Sequence, residues 1–365
     1  MSVNGTIKGV NGTAHHPIRL SALQEEIQEL EKTLKVSEKR EEVFTVKTMN
    51  QYMKDASQKP MPKMLLSELW FEGEICFLFA DTNLGKSAIS VQIADSITKG
   101  EAIPGFKLEV GPQKVLLFDF ELSDKQVEIR YSNRGNNHYK FSDLLLRVEP
   151  NGKALLNEDT YIENGKAMLE EIEQLIISHG AKIVIVDNLT YLQDTLEKSK
   201  GVLALMKRLK ALKEMHGYTF LILAHTPKRD CSRPIEKKDL FGSSALMNFA
   251  DSAIAVGEST QSEYVRYIKQ VKQRNCEKIY GSDNVIVGEL VKNDNCMIFQ
   301  FLNYGSEYEH LRVKTQKEKE ELDLQIITCH EEDESRSFRD IARQFKVHPM
   351  RVKRTLQKMK NGNGA

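Results

Sequence analysis

The chain has 365 residues, more than one ordinary domain needs, and 40% of them are apolar, the level of a globular protein. Lys+Arg and Asp+Glu are both 52, so overall charge selects no partner. The five scattered cysteines (Cys76, Cys231, Cys276, Cys296, Cys329) form no C-x-x-C pair, which argues against a disulfide framework and a zinc knuckle.

No apolar run reaches the roughly 18 residues of a membrane span, and the polar N-terminus lacks a signal-peptide core. A cytoplasmic protein without a membrane partner is expected. Residues 1–17 are rich in Gly, Asn, Thr and His without periodicity, the pattern of a disordered tail. Residues 18–64 read as an N-terminal helix and a linker. Leu20, Leu23, Ile27, Leu30 and Leu34 form a two-heptad seam, suited to a neighbouring protomer or to the chain's own core; a solvated helix stays open. Residues 41–64 read as linker, ending in Lys59-Pro60-Met61-Pro62.

Residues 65–311 alternate strand and helix. Apolar strands are expected at 75–80, 115–120, 144–148, 183–187 and 220–224, with amphipathic helices at 87–97, 167–178 and 202–215. Near-continuous apolar strands separated by helices predict an α/β fold with a mainly parallel sheet covered on both faces. After Gly257 the helical pattern stops, and 264–273, 285–292 and 297–302 read as an antiparallel extension. Residues 312–365 read as a charged connector and a small helix-turn-helix.

The first chemical motif is Ala80-Asp81-Thr82-Asn83-Leu84-Gly85-Lys86-Ser87, with Ala88 following. It follows a buried strand and opens a helix, the context of a P-loop that binds ATP. Backbone N–H groups there hold phosphate oxygens. Lys86 neutralises the β- and γ-phosphates and Ser87 ligates Mg²⁺. The first position is Ala80 rather than Gly, which predicts a slightly altered turn because Ala resists positive φ.

Ile183-Val184-Ile185-Val186-Asp187 is a Walker B pattern, with Asp187 holding Mg²⁺ at the C-terminal sheet edge. Phe118-Asp119-Phe120-Glu121-Leu122-Ser123 ends another strand with acids. A carboxylate here, beside the P-loop strand, is placed to activate the attacking water. A plain strand-end role for Asp119 or Glu121 is the alternative.

These motifs, followed by Leu221-Ile222-Leu223-Ala224-His225-Thr226-Pro227-Lys228 and Phe241-Gly242-Ser243-Ser244-Ala245-Leu246, are similar to RecA-type ATPases. Within them the chain most resembles RepA-type hexameric replicative helicases and their relatives in plasmids and mobile elements, over about residues 65–300. The resemblance implies a RecA-like core, Glu121 as catalytic base and His225 as γ-phosphate sensor. The polar, Pro-interrupted segment after His225 reads as a mobile loop, with a solvated loop of mixed charge, diluted by Asp230, Glu236 and Asp239, as the alternative, and the resemblance implies that it faces a central channel. There Lys228, Arg229, Arg233, Lys237 and Lys238 would contact single-stranded DNA without reading its sequence. Lys272 and Arg274, two apart at a strand end, resemble the fingers that such ring helicases lend to a neighbour's γ-phosphate, with a solvated basic edge as the alternative.

At the C-terminus, Ser337 opens one short helix and Pro349 a second, with Val352, Leu356 and Met359 inward. Arg351, Lys353, Arg354 and Lys358 are expected on the open side, available to DNA. A solvated helical cap is the alternative. The expected function is an ATP-driven, DNA-binding motor, a homo-oligomer and plausibly a hexameric ring, working with replication or mobilisation proteins. An ATP-dependent DNA-binding regulator without unwinding, and an ATPase acting only on protein, are the competing readings.

Overall fold

The computed structural model describes residues 44–151, 164–189, 199–241, 244–313, 315–345, 347 and 349–362. The expected tail at 1–17 and the heptad seam of Leu20 to Leu34 lie outside them. The chain divides into two compact units, residues 1–61 and 62–365.

In the first unit, residues expected as linker form helix α1 (Met49–Ser57), capped by Thr48, whose side chain accepts the Gln51 N–H. Nothing on this helix is buried. In the second unit, β1 (Met64–Leu66) and β2 (Trp70–Phe71) pair as a short antiparallel ribbon. The chain then builds one nine-stranded sheet. Its strands are β3 (Ile75–Ala80), β4 (Val115–Asp119), β5 (Leu145–Val148), β6 (Ile183–Asp187) and β7 (Thr219–His225), then β8 (Ser252–Glu258), β9 (Val265–Lys272), β10 (Val285–Asn293) and β11 (Cys296–Gly305). The spatial order is β11-β10-β9-β8-β3-β7-β6-β4-β5. From β8 to β5 neighbours are parallel, and β9, β10 and β11 add antiparallel.

Strand β8 escapes the periodicity argument. Its run Ser252-Ala253-Ile254-Ala255-Val256-Gly257 is fully buried but carries small residues, so it lacks a strong apolar signature. It is the second neighbour of β3, and it widens the parallel region on the P-loop side.

Helices cover both faces. Ile75, Phe77 and Phe79 point to the core beneath α4 (Asn164–His179) and α5 (Ser199–His216), where Ile176, Met206 and Leu209 pack. Cys76, Leu78 and Ala80 point the other way, to Ile89, Ile93 and Ile97 of α2 (Lys86–Lys99). Alternating side chains thus bury both faces of β3, which is why the strand reads as continuously apolar.

Residues 312–323, expected as connector, belong largely to α7 (Gln316–Glu332), a helix begun by a Thr315–Glu318 capping box. With α8 (Phe338–Gln344) and α9 (Pro349–Gly362) it encloses a small core of Ile326, Ile341, Val352 and Leu356. Ser337 caps α8 through the Asp340 N–H, and α9 begins at Pro349. No helix among the described residues is long and apolar enough to cross a membrane.

Candidate functional site

The parallel strands β3, β6 and β7 deliver three of the expected site residues to one sheet edge: Ala80 at the start of the P-loop, Asp187 and His225. Ala80 needs no special backbone, because it is the last residue of β3 and pairs with His225 and Val256. Positive φ falls instead on Asn83 (62°) and Gly85 (87°). The expected distortion at Ala80 is therefore absent, since the turn takes its left-handed residues further along. The positive φ at Gly85 favours glycine, and a Cβ there would also lie 2.2 Å from Leu290 Cδ1 of β10 and force that side chain to move.

Helix α2 begins at Lys86, directing its free N–H groups toward the loop. Lys86 is buried, and its Nζ donates to the carbonyls of Ala80 (3.0 Å) and Asp81 (2.9 Å) and lies 3.2 Å from His225 Nδ1. Burial pulls its ammonium below the usual lysine range, opposed by the carboxylates of Glu121 and Asp187. The lysine thus rests on its own loop, in bonds that a phosphate can replace.

Asp187 is buried, is hydrogen-bonded to Ser87, and has Oδ1 without a partner. Burial pushes its carboxyl up to about 7, with Glu121 and Asp119 adding repulsion. An orphaned buried carboxylate oxygen beside a hydroxyl suits Mg²⁺, a hard cation that takes few protein oxygens and keeps water and phosphate. Ser87 and Asp187 therefore fit the metal; no cluster of three or more acidic, His or Cys ligands occurs among the described residues.

Glu121 arrives by a route that differs from the expected one. Its strand β4 lies beyond β7 and β6 rather than beside β3. Asp119, the other acid of the motif, holds the turn: it accepts the Glu121 N–H (3.1 Å), the Leu122 N–H (3.0 Å) and Arg147 Nε (2.9 Å). The chain thereby leaves β4 and projects Glu121 back across β6. Asn188 Nδ2 donates to Glu121 Oε1 and lies 3.2 Å from His225 Nε2, while Glu121 Oε1 and His225 Nε2 are 3.5 Å apart. Lysine can only donate, so Lys86 assigns Nδ1 as acceptor and leaves the ring proton on Nε2, facing Glu121 Oε1. Lys86, His225 and Glu121 form one polar chain, and the Asn188 amide donates to Glu121 at its end. Asn188 was not singled out by sequence reasoning; its only signal there is its place directly after the Walker B aspartate.

The segment after His225 is tied by hydrogen bonds at both ends and along its length. It leaves through Thr226, whose N–H bonds to Ala80 O (3.0 Å), and returns at Phe241, whose N–H bonds to His225 O (2.9 Å). Arg233 pairs with Asp239 through both Nη atoms and also donates to Pro234 O. Ile235 is buried; its N–H donates to Glu307 and its carbonyl accepts from Lys269, and those two side chains pair at 2.5 Å. Arg229 leans on Arg233 O (3.0 Å). Lys228, Lys237 and Lys238 are exposed, with Lys238 paired to Glu236. Arg233 is thus removed from the solvent-facing cations by its carboxylate partner. Gly242 and Ser243 lie outside the described residues.

Lys272 and Arg274 lie at the opposite sheet edge. Lys272 Nζ donates to Met247 O (2.6 Å), and Arg274 reaches Asn248 O (3.1 Å) and Asp251 Oδ1 (3.2 Å). On the C-terminal helices, Arg351 turns inward to Asp323 (3.0 Å) rather than outward as expected, because α7 supplies that acid beside it. Lys353, Arg354 and Lys358 remain exposed.

A family model for the AAA domain matches residues 39–230. No curated protein matches. Among solved structures, a KaiC-like protein from the hyperthermophilic archaeon Pyrococcus horikoshii OT3 is similar at a TM-score of 0.44 and 14% identity, covering 63% of this chain and 90% of that one.

Proposed function

The chain belongs to the AAA domain family of P-loop ATPases, and from that premise we propose that it is a RecA-like, ATP-hydrolysing motor on single-stranded DNA, serving replication or transfer of a plasmid or mobile element. One observation carries the hydrolytic part: Lys86, Asp187, Glu121 and His225 converge on one sheet edge, with His225 between Lys86 and Glu121 and Asn188 bound to Glu121.

The N–H groups at the start of α2 and the Lys86 ammonium bind the triphosphate. Ser87 and Asp187 would hold Mg²⁺, which would supply positive charge against the phosphates. Glu121 takes the proton of the attacking water, and Asn188 holds its carboxylate in place. When Lys86 moves to a phosphate, His225 Nδ1 loses its donor. His225 also carries both ends of the 226–241 segment, through the ladder beside Ala80 and the bond from Phe241. The nucleotide state and the segment bearing Lys228, Lys237 and Lys238 therefore meet at one residue.

Arg274 supports a shared site. It sits level with Asp251 and Ile75, at the start of β3, whereas the P-loop leaves from Ala80. Five residues of strand separate them by about 17 Å, so Arg274 serves a phosphate only on another copy. A homo-oligomer, plausibly a hexameric ring, follows from this reading.

The test is ATP hydrolysis with and without single-stranded DNA, with native mass measured in parallel, then strand displacement on a forked substrate. Stimulation with unwinding supports the motor. A second reading, an ATP-dependent DNA-binding regulator, draws on the three-helix C-terminal unit, which has the spacing of a helix-turn-helix and exposes Lys353 and Arg354. Stimulation without unwinding favours it. A rate indifferent to all nucleic acid sinks both and leaves an ATPase acting on protein.

A further inference from the structure

We infer that Asp251 is the positioning residue for Arg274, aiming its guanidinium at the γ-phosphate of a neighbouring copy; this rests on the shared-site reading above. Asp251 lies just before β8, beneath the start of β3, and its side chain is only 12% exposed. Its Oδ2 accepts the Ile75 N–H (2.9 Å) and Lys213 Nζ (2.7 Å), and its Oδ1 accepts Arg274 Nη1 (3.2 Å). The carboxylate is therefore fixed by the backbone of the P-loop strand, and it fixes the arginine in turn.

The neighbouring residues pin the rest of the segment. Gln273 Oε1 accepts the N–H groups of Arg274 (2.6 Å) and Asn275 (3.0 Å), and Gln273 Nε2 donates to Glu68 O (3.2 Å). Asn275 Nδ2 donates to the buried Glu74 (2.7 Å). Arg274 Nη2 donates to Asn248 O (3.1 Å). Despite these holds the Arg274 side chain stays 52% exposed. It borders an open cleft of about 250 Å³, lined also by Lys210, Lys213 and Glu214. An exposed arginine ordinarily sweeps many rotamers, and fixing one costs side-chain entropy. Here that ordering is done before any phosphate arrives. Lys213 shares the carboxylate, so Asp251 orients Arg274 without spending its charge.

Asp251 also touches β3, so a merely structural role would disturb the chain's own P-loop. The two roles separate in mixed oligomers. Arg274→Ala subunits supply an intact Glu121 but no finger, and Glu121→Gln subunits supply a finger but no base. Their mixture regains ATPase activity if sites are shared. Adding Asp251→Asn to the Glu121→Gln subunit, the finger donor, is expected to lower the regained rate on the order of ten- to a hundredfold. Adding it to the Arg274→Ala subunit, the site donor, is expected to leave the rate unchanged. A loss from the site-donor side, or none from the finger-donor side, overturns the inference while sparing the shared site. If the unmodified mixture stays inactive despite demonstrated subunit exchange, the shared-site reading falls and this inference with it. Should Asp251→Asn fail to fold, Lys213→Met provides the second variant, because it leaves the carboxylate to Arg274 and Ile75 alone. Its effect must likewise come only from the finger donor, and an effect from the site donor overturns the proposal.

Discussion

The two edges of the parallel sheet are built differently. At the edge where β3, β6 and β7 end, polar groups are left wanting. Asp187 Oδ1 and Thr226 Oγ1 are buried without partners, and Lys86 rests on carbonyls of its own loop. At the edge where β3 and β8 begin, the acids are saturated. Asp251 has three donors, and Glu74 accepts from Phe71 N–H, Ser252 Oγ and Asn275 Nδ2. Unmet buried polarity is costly unless a ligand completes it, whereas saturated polarity makes a rigid mount. On the proposed reading, the first edge receives phosphates and a metal, and the second holds a side chain still.

The strongest way to break this contrast is at the receiving edge. Lys86→Ala is expected to abolish measurable nucleotide binding and turnover, read by ATP titration and phosphate release. Glu121→Gln is expected to keep ATP binding and stop hydrolysis, because an amide cannot accept the proton; turnover at the wild-type rate removes Glu121 as base.

At the mounting edge, Arg274→Ala is expected to fold and bind ATP but hydrolyse it about 10³-fold or more slowly, the typical loss for such a finger. A variant that is equally slow in binding ATP places Arg274 in its own site instead. Asn188→Ala sharpens the comparison within the receiving edge. Losing the amide that steadies Glu121 is expected to lower kcat on the order of ten- to a hundredfold with little change in KM.

The smallest effect is a stability change. Burial holds the Glu74 carboxyl at about 7, against 4.5 in an unfolded chain. Between those values the folded protein keeps a proton that the unfolded chain releases, so its contribution is full below about pH 4.5 and lost as pH rises through 7. The expected span is about 3 kcal/mol. Glu74→Gln should flatten this part of a melting-temperature profile against pH, and an unchanged slope assigns it to other groups.

Much of the receiving edge was legible because its chemistry is local. A P-loop is eight consecutive residues after an apolar strand, and the Walker B acid closes another such strand. Asn188 was not legible. Its meaning comes from Glu121, 67 positions away, and His225, 37 positions on. The basic loop was half legible: its cations are plain in the sequence, but the pairing of Arg233 with Asp239, and of Lys269 with Glu307 beneath Ile235, depends on how the chain folds back. Arg351 failed for the same reason, since Asp323 stands on a helix that read as a connector.

By itself the sequence determined the alternation of strands and helices, the two-faced burial of the parallel strands, and the candidates for the phosphate and metal ligands. These depend on periodicity and on contiguous residues, which one dimension records. Only the tertiary structure decided strand order, which put two strands, β7 and β6, between β3 and β4 and made Glu121 cross β6 to reach the site. It alone decided which cations stay exposed, and it alone set Arg274 at the far end of β3 on Asp251. Those outcomes rest on pairings between distant segments, and the free energy of such a pairing belongs to both partners at once, so neither stretch of sequence carries it alone.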